Sequence, residues 1–543
     1  MEKKTVKFHV LAIICIILFC VSLSPITMQN DTYYTIKIGE HILGNGIDMQ
    51  DTFSWHEDLP YTYPHWAYDV ATYLVYKVGG FLGIYIATAV LACILGIAIY
   101  FVNYKRAKNP VVSFIITLAA MYLLKDFIAA RAQLVTFILF ILTIYFIEQF
   151  LDTKKKRYAV GLIIIPIIIA NVHLAVWPFY FVLFMPYIGE YIIALLSNSI
   201  QGLRKIKLKR MKSKISDTDQ TEEAKQKREK IEKLEQKIEQ INERKQKLKE
   251  KAYKLEIVHN PNVKYLILIM IICLFTGLLT PLGDTPYTYL IKTMQGNTTG
   301  HINEHLPLTL INNIEFMAVI IVFLAILIFT DTKLRLSDLF MIGGLLLLAF
   351  KSRRQVSMFV LICSVMLNRL VCKLIDKYDP EGTEKFIKFI VTFLGKILAV
   401  SVILLLCLLT VRKKVGDEFV DKSSYPVDAA QYIKENIDIS TMKLYNEYNY
   451  GSYLLFQDIP VFIDSRADLY TPEFNGGKDI FSDFLNIANI GEYYEDKMTE
   501  YGITHVLMYK NAKLNMFISR DENYKEIYVD DYFCIYERNT NKR

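Results

Sequence analysis

The sequence predicts a polytopic α-helical membrane protein of about eleven spans, with a small α/β domain at its C-terminus and a helical coiled-coil insert between two spans. Three observations predict it. Apolar runs recur along the chain, several of them about 18 to 25 residues long, enough to cross a hydrocarbon core of about 30 Å. Of 543 residues, 53% are hydrophobic and 22% charged, with a mean hydropathy of +0.26. The formal charge of +7 is local: residues 201–260 carry about 19 Lys plus Arg against about 11 Asp plus Glu, and the remainder is close to neutral. These features exclude a soluble enzyme, a disordered scaffold, a secreted disulfide mini-protein and a nucleic-acid partner. All cysteines but Cys534 lie in or beside apolar runs, and their spacing gives neither a disulfide framework nor a zinc site.

The first run, 8–24, follows Lys3, Lys4 and Lys7. Its end, Val21-Ser22-Leu23-Ser24-Pro25, is a poor small-residue cleavage site, so the run reads as a retained first helix. Further runs lie near 80–101, 111–125, 134–151, 160–172, 175–196, 265–280, 316–330, 339–350, 356–371 and 387–411. Lys and Arg in the connections set the orientation. With a cytoplasmic N-terminus, Lys105-Arg106-Lys108, Lys154-Lys155-Lys156-Arg157, the basic insert, Lys333 with Arg335, and Lys373 with Lys377 and Lys385 all face the cytosol. Residues 1–411 are then the transmembrane domain, and an odd number of spans puts the tail, 412–543, outside the cell.

Within the cytoplasmic insert, 201–260, apolar residues recur at Ile231, Leu234, Ile238, Ile241, Leu248, Ala252 and Leu255. Spacing of three and four marks a coiled-coil seam or a helical hairpin. It reads as a solvated extension of two membrane helices, or as an arm for self-association or a partner near anionic lipid heads. In the tail, 429–435 and 491–501 read as helices, and 443–448, 461–464 and 505–509 as buried strands. Residues 524–529 and 532–537 read as a closing hairpin around Asp530-Asp531. This alternation predicts the α/β domain.

On this topology the polar residues gather at the outer ends of the spans. The loop after the first span carries Asp31, Asp51, His65 and Trp66, and the next outer connection carries Arg131. Later ones carry Asn171 and His173, then Glu304 within His301-Ile302-Asn303-Glu304-His305, then Arg353 and Arg354. Ionisable groups at membrane depth cost about 2.5 to 3.5 kcal/mol each on insertion scales, so they mark a cavity or a function. A carboxylate set beside an arginine set suits hydroxyl activation or metal binding together with phosphate recognition. The same stretch spells H-x-x-E-H, but zinc chemistry needs both histidines on one helical face. Gly296, Gly300 and Pro307 argue for a loop instead.

At these residues the sequence resembles a known superfamily. Asn30-Asp31-Thr32-Tyr33-Tyr34 after a first helix resembles the first-loop Asp region of GT-C glycosyltransferases. The stretches Gly39 to Leu43, Asp51 to Trp55 and His65-Trp66 are similar to a large bacterial branch of that superfamily. So are Asn171-Val172-His173, Thr280 to Gly283, Asn303 to Pro307 and Ser352 to Gln355. In the tail, Tyr448-Asn449-Tyr450-Gly451 and Val461 to Tyr470, with Asp464 and Arg466, resemble the same branch and are loosely similar to the WWDYG region of oligosaccharyltransferase catalytic subunits. The resemblance implies a polyprenyl-phosphate sugar donor, an outer-face site in contact with membrane lipid, and inverting transfer to an extracytoplasmic acceptor.

It further implies Asp31 as the base that engages the acceptor or as a metal ligand, with Glu304 as a second acid and both as candidates for a divalent cation. Arg131, Arg353 and Arg354 would bind the donor phosphate. Asp51, His65, Trp66, Asn171, His173, Asn449, Tyr450, Asp464 and Arg466 would bind substrate. Thr32 stands where many relatives have a second acid, and Asn449 where the WWDYG pattern has its Asp. Those two differences keep open a non-catalytic GT-C-like assembly protein, beside a lipid-linked glycan transporter.

Overall fold

Each apolar run of the sequence falls on helix in the computed structural model, which describes residues 2–197, 229–241, 243, 254–491 and 494–539. The helices that matter here are α1 (Glu2–Leu23), α2 (Asn30–Asn45), α3 (Trp66–Ala107), α4 (Pro110–Leu123), α5 (Ala132–Thr153), α6 (Lys156–Val172) and α7 (Trp177–Val182). After the insert come α8 (Val263–Leu274), α9 (Thr285–Gln295), α10 (Ile314–Phe329), α11 (Leu336–Lys351), α12 (Val356–Tyr378), α13 (Gly382–Ile390) and α14 (Phe393–Val411). Among the described residues, 6 helical stretches are long and apolar enough to cross a membrane: Lys3–Leu23, Trp66–Ala107, Ala132–Thr153, Leu174–Ser197, Arg353–Tyr378 and Phe393–Lys414. Shorter apolar helices cover Pro110–Leu123, Val263–Leu278 and Ile314–Phe329.

Helix α3 is longer than its apolar run. Its 42 residues would reach about 63 Å if straight, twice the hydrocarbon core. It breaks at Gly80, where φ is 56° and ψ is −152°, a region that an L side chain enters only with strain. The half before Gly80, where Asp69, Thr72 and Lys77 interrupt the apolar residues, packs against α2. There the chain closes so tightly that a Cβ on Gly39 would lie 2.1 Å from the Asp69 carbonyl oxygen. The apolar half, 80–107, enters the bundle core with α1, α5 and α12.

The basic connections meet at one end of the bundle. Arg106 pairs with Asp152 at 2.7 Å and Arg335 with Glu190 at 2.8 Å. Short parallel strands β1 (Leu255–Glu256) and β2 (Leu334–Arg335) pair there. Leu255, read as the last position of the coiled-coil seam, therefore sits opposite Leu334 instead. Of the seam, Ile231, Leu234, Ile238 and Ile241 lie on a helix and are half-buried among exposed neighbours, while Leu248 and Ala252 lie outside the described residues. Just inside the bundle, buried Glu148 binds both Arg106 and Arg369, and Arg369 reaches Asp338 at 2.6 Å. A hydropathy reading misses this network because Glu148, Asp338 and Arg369 lie within largely apolar stretches and their partners come from other helices; pairing is what makes them tolerable at such depth.

The tail builds a 4-stranded sheet in the order β3-β4-β6-β5 from β3 (Leu444–Tyr445), β4 (His505–Tyr509), β5 (Tyr524–Val529) and β6 (Phe533–Arg538). The β3–β4 pair is parallel and the others antiparallel. Flanking helices are α15 (Val427–Asn436), α16 (Tyr448–Phe456), α17 (Ile480–Ala488) and α18 (Tyr494–Glu500). Two expectations change here. Residues 446–448 leave the sheet, because Tyr448 opens α16. Residues 461–464 are buried but form no sheet strand. Val461 makes one parallel bridge to the first loop, bonding the backbone of Phe53 and Trp55. Beyond it the partner is a side chain: Asn446 Oδ1 accepts from Phe462 N at 2.8 Å, and its Nδ2 donates to the Ile463 carbonyl at 2.7 Å. The tail does not close its core alone, since Tyr33, Leu59, Tyr61 and Tyr63 of the first loop join Tyr425, Tyr450 and Phe462 in one apolar cluster.

Candidate active site

Four separate connections converge at the end of the bundle opposite the basic loops. Asp31 stands in the first turn of α2, and Arg131 is the residue that caps the start of α5. Glu304 lies in the turn Asn303–His305, which is not part of any long helix, so the H-x-x-E-H spelling has no zinc geometry. Arg354 lies in the turn Arg353–Gln355 that opens α12. Arg131 joins the two acids: its Nη2 is 2.9 Å from Asp31 Oδ2 and its Nη1 is 3.0 Å from Glu304 Oε1. The Glu304 turn is tied to the Arg354 turn by the Ser352 hydroxyl, which donates to the Glu304 carbonyl at 3.2 Å. Arg353 completes that tie, donating from Nε to the Pro307 carbonyl at 3.3 Å.

These groups line a cavity of about 1240 Å³ whose walls have two characters. One end is polar, with Asp31, His65, Arg131, His173, Glu304 and Arg354. The other runs into the bundle between Phe137 and Phe140 of α5, Phe179 and Val182 of α7, Leu348 of α11 and Met358 of α12. Lys351, exposed at the end of α11, also lines it. Burial works against the charge on Glu304, but Arg131 and then Arg354 outweigh it and hold its pKa below the usual carboxylate value. Burial and then the same two arginines push His65 down to about 3. His173 is driven well below its ordinary value by burial, by His65 and by those arginines. Both imidazoles are therefore neutral, with ring centroids 5.0 Å apart, and His173 Nδ1 is 2.9 Å from the Thr136 hydroxyl.

The tail supplies the opposite wall through Tyr448, Asn449, Arg466 and Asp468. Two further acids there were not singled out as site residues by sequence. Glu447, at the start of α16, lines the cavity, and burial raises its pKa to about 7. Asp468 is raised by burial, while its Oδ2 accepts from the Tyr289 hydroxyl at 2.6 Å and the Thr293 hydroxyl at 3.3 Å. Glu447 carried no site signal of its own in the sequence, where 443–448 reads as a buried strand.

Other sequence candidates support the wall from behind. Arg466 is a buried clamp: Nη1 meets Asp51 at 2.7 Å, Nη2 meets Asp464 at 2.7 Å, and the guanidinium lies over Tyr61 with 4.9 Å to the ring centroid. Asp464 also accepts from the Tyr470 hydroxyl at 2.6 Å. That triad welds the first loop to the tail, and neither Asp51 nor Asp464 lines the cavity. Trp66 Nε1 donates to Asn171 Oδ1 at 3.1 Å, and Asn171 Nδ2 donates to the Leu279 carbonyl at 2.9 Å. That pair holds the start of α3 against the end of α6, which sets His65 beside His173. Tyr450 is fully buried and donates to the Leu507 carbonyl at 2.7 Å. Arg353 points its bonds into the Pro307 loop rather than joining the cavity lining.

Among the described residues, no group of three or more His, Cys, Asp or Glu is placed to hold a metal ion. The one acid pair that sequence offered, Asp31 and Glu304, has a guanidinium between its members. It does not fit a resident divalent cation, which needs several converging oxygens.

No known protein family matches this chain by sequence, and neither does any curated protein. The fold does match. The oligosaccharyltransferase of Archaeoglobus fulgidus aligns with 92% of this chain and 69% of its own, with a TM-score of 0.53 at 11% identity. It does so both in the apo form and when tethered by a disulfide to an acceptor peptide containing the NVT sequon. The chain shares the overall fold of that oligosaccharyltransferase. Within this fold the helical part forms the bundle, and the tail covers its polar end.

Proposed function

We propose that the protein is a membrane glycosyltransferase of GT-C type, moving a sugar from a polyprenyl-phosphate-linked donor to an extracytoplasmic acceptor. The observation that carries the reading is the two-part lining of the cavity. A long isoprenoid chain fits the Phe-lined cleft between α5, α7, α11 and α12, and its phosphate then meets Arg354. That guanidinium forms no ion pair with a carboxylate among the described residues, and Lys351 stands nearby in the same lining. The sugar lies in the polar space between the Asp31–Arg131–Glu304 group and the tail wall of Tyr448, Asn449 and Glu447. The basic loops, which gather at the other end, support a reading in which this end faces outside the cell.

In the transfer step an acceptor hydroxyl or amide nitrogen attacks the anomeric carbon. Its proton passes to Asp31, whose Oδ1 has no protein partner among the described residues. The bond from the anomeric carbon to the phosphate oxygen breaks, and the departing electron pair is stabilised by Arg354, aimed where charge develops. Arg131 orients both acids through one nitrogen on each and favours the charged form of Glu304. Arg466, Asp51 and Asp464 hold the tail wall, the division at residues 411 and 412 separates bundle from cover, and the seam at 229–241 serves self-association.

The test is a comparison of cell-surface glycans by mass spectrometry in a deletion strain complemented with the wild type or with Asp31→Ala. Loss of one glycan species in the deletion and in the Ala strain is the expected result. Full restoration by Asp31→Ala removes Asp31 from the mechanism, and movement of lipid-linked sugar without bond transfer identifies a transporter.

A further inference from the structure

The acid pair at the polar end of the cavity already contains its cation. Arg131 spans it with one nitrogen on each carboxylate, 2.9 Å to Asp31 and 3.0 Å to Glu304. Its backbone is fixed at the start of α5, with N–H bonded to the Ala129 carbonyl at 2.8 Å. The side chain therefore enters from a rigid element and is pinned at both ends of its fork. The remaining charges around it are Arg354, which acts on Glu304, and His305, which burial and then Arg354 keep below its ordinary pKa. Two carboxylates against two guanidinium groups leave the cluster neutral. A divalent ion entering it would face Arg131 at contact distance and leave two surplus charges in a partly buried site, against which Coulomb repulsion is strong.

We infer that Arg131 is the permanent cation of the Asp31–Glu304 pair, and that the pair takes no divalent metal while Arg131 is present. The inference deepens the glycosyltransferase reading, on which its functional meaning rests: the acids are oriented and their charge is balanced by a covalently attached cation, so transfer does not depend on metal supply. A vacancy for a metal opens only when the guanidinium is removed, because the two carboxylates then lose the cation in contact with both and keep only Arg354, with His305 beside Glu304.

The experiment reads binding and needs no substrate. Purified full-length protein in lipid nanodiscs is titrated with Mn2+ and followed by electron paramagnetic resonance. The quantity read is the bound fraction that the double variant Asp31→Asn, Glu304→Gln abolishes. For the wild type this fraction is expected to be nil, and for Arg131→Met it is expected to become a saturable class, at least about tenfold tighter than any such binding in the wild type. Arg131→Lys, which keeps the charge, is expected to behave as the wild type and serves as the folded control. Saturable Mn2+ binding in the wild type that depends on Asp31 and Glu304 overturns the inference. So does a folded Arg131→Met protein that binds no more Mn2+ than the wild type. Neither result bears on whether sugar is transferred, which the glycan comparison decides separately.

Discussion

Glu447 shows how far a single residue can be read from its surroundings. Burial at the cavity wall raises its pKa to about 7 from an ordinary value of 4.5, so the folded state holds a proton that the unfolded chain has released. The sign follows from linkage: between about 4.5 and 7 the unfolded state binds fewer protons, so stability falls as pH rises through that window and levels off above it. Glu447→Gln removes the titration. Thermal unfolding against pH is expected to show that fall in the wild type and a flatter curve in the variant. Sequence exposed the charge-bearing residues Asp31, Arg131, Glu304 and Arg354, because an ion at a span end is conspicuous. It could not separate Arg353 from Arg354, whose difference is only which of two adjacent side chains the Pro307 loop captures. Nor could it single out Glu447 or Asp468, whose role comes from a wall built by distant segments.

At the scale of elements, the tail wall hangs on the Arg466 clamp between the first loop and the segment 461–464. Both carboxyl partners are fully buried, and Arg466 is nearly so. Arg466→Ala leaves two buried acids without their cation, and breaking such a pair costs about 3 to 5 kcal/mol. The expected outcome is a clear drop in the unfolding midpoint of the purified protein. The double variant Asp51→Asn, Asp464→Asn on the Ala background recovers part of it, because no buried charge remains. Strand reading failed at 461–464 for a definite reason: a buried apolar run looks alike whether its backbone is satisfied by a sheet neighbour or, as here, by a single bridge to the first loop and the Asn446 amide. Helix reading succeeded for the bundle because apolar length is a strong signal. It missed 66–79, where Asp69, Thr72 and Lys77 break the apolar run and the helix packs on α2.

At the scale of the whole molecule, two cores meet at one cavity. The bundle core supplies an apolar cleft, and the second core joins the first loop to the tail over its polar end. The convergence of Asp31, Arg131, Glu304 and Arg354 was legible because alternation of spans assigns each loop to one end of the bundle. The joint core of loop and tail was not, because it depends on contacts between residues some four hundred positions apart, such as Asp51 with Arg466. The most direct measurement of the central claim is transfer of label from radiolabelled polyprenyl-phosphate sugars to acceptors by the purified protein in nanodiscs. The account predicts transfer by the wild type and a loss of at least about a hundredfold in both Asp31→Asn and Arg354→Gln, the scale set by a positioned base and a charge-stabilising donor. Undiminished transfer by both variants contradicts it.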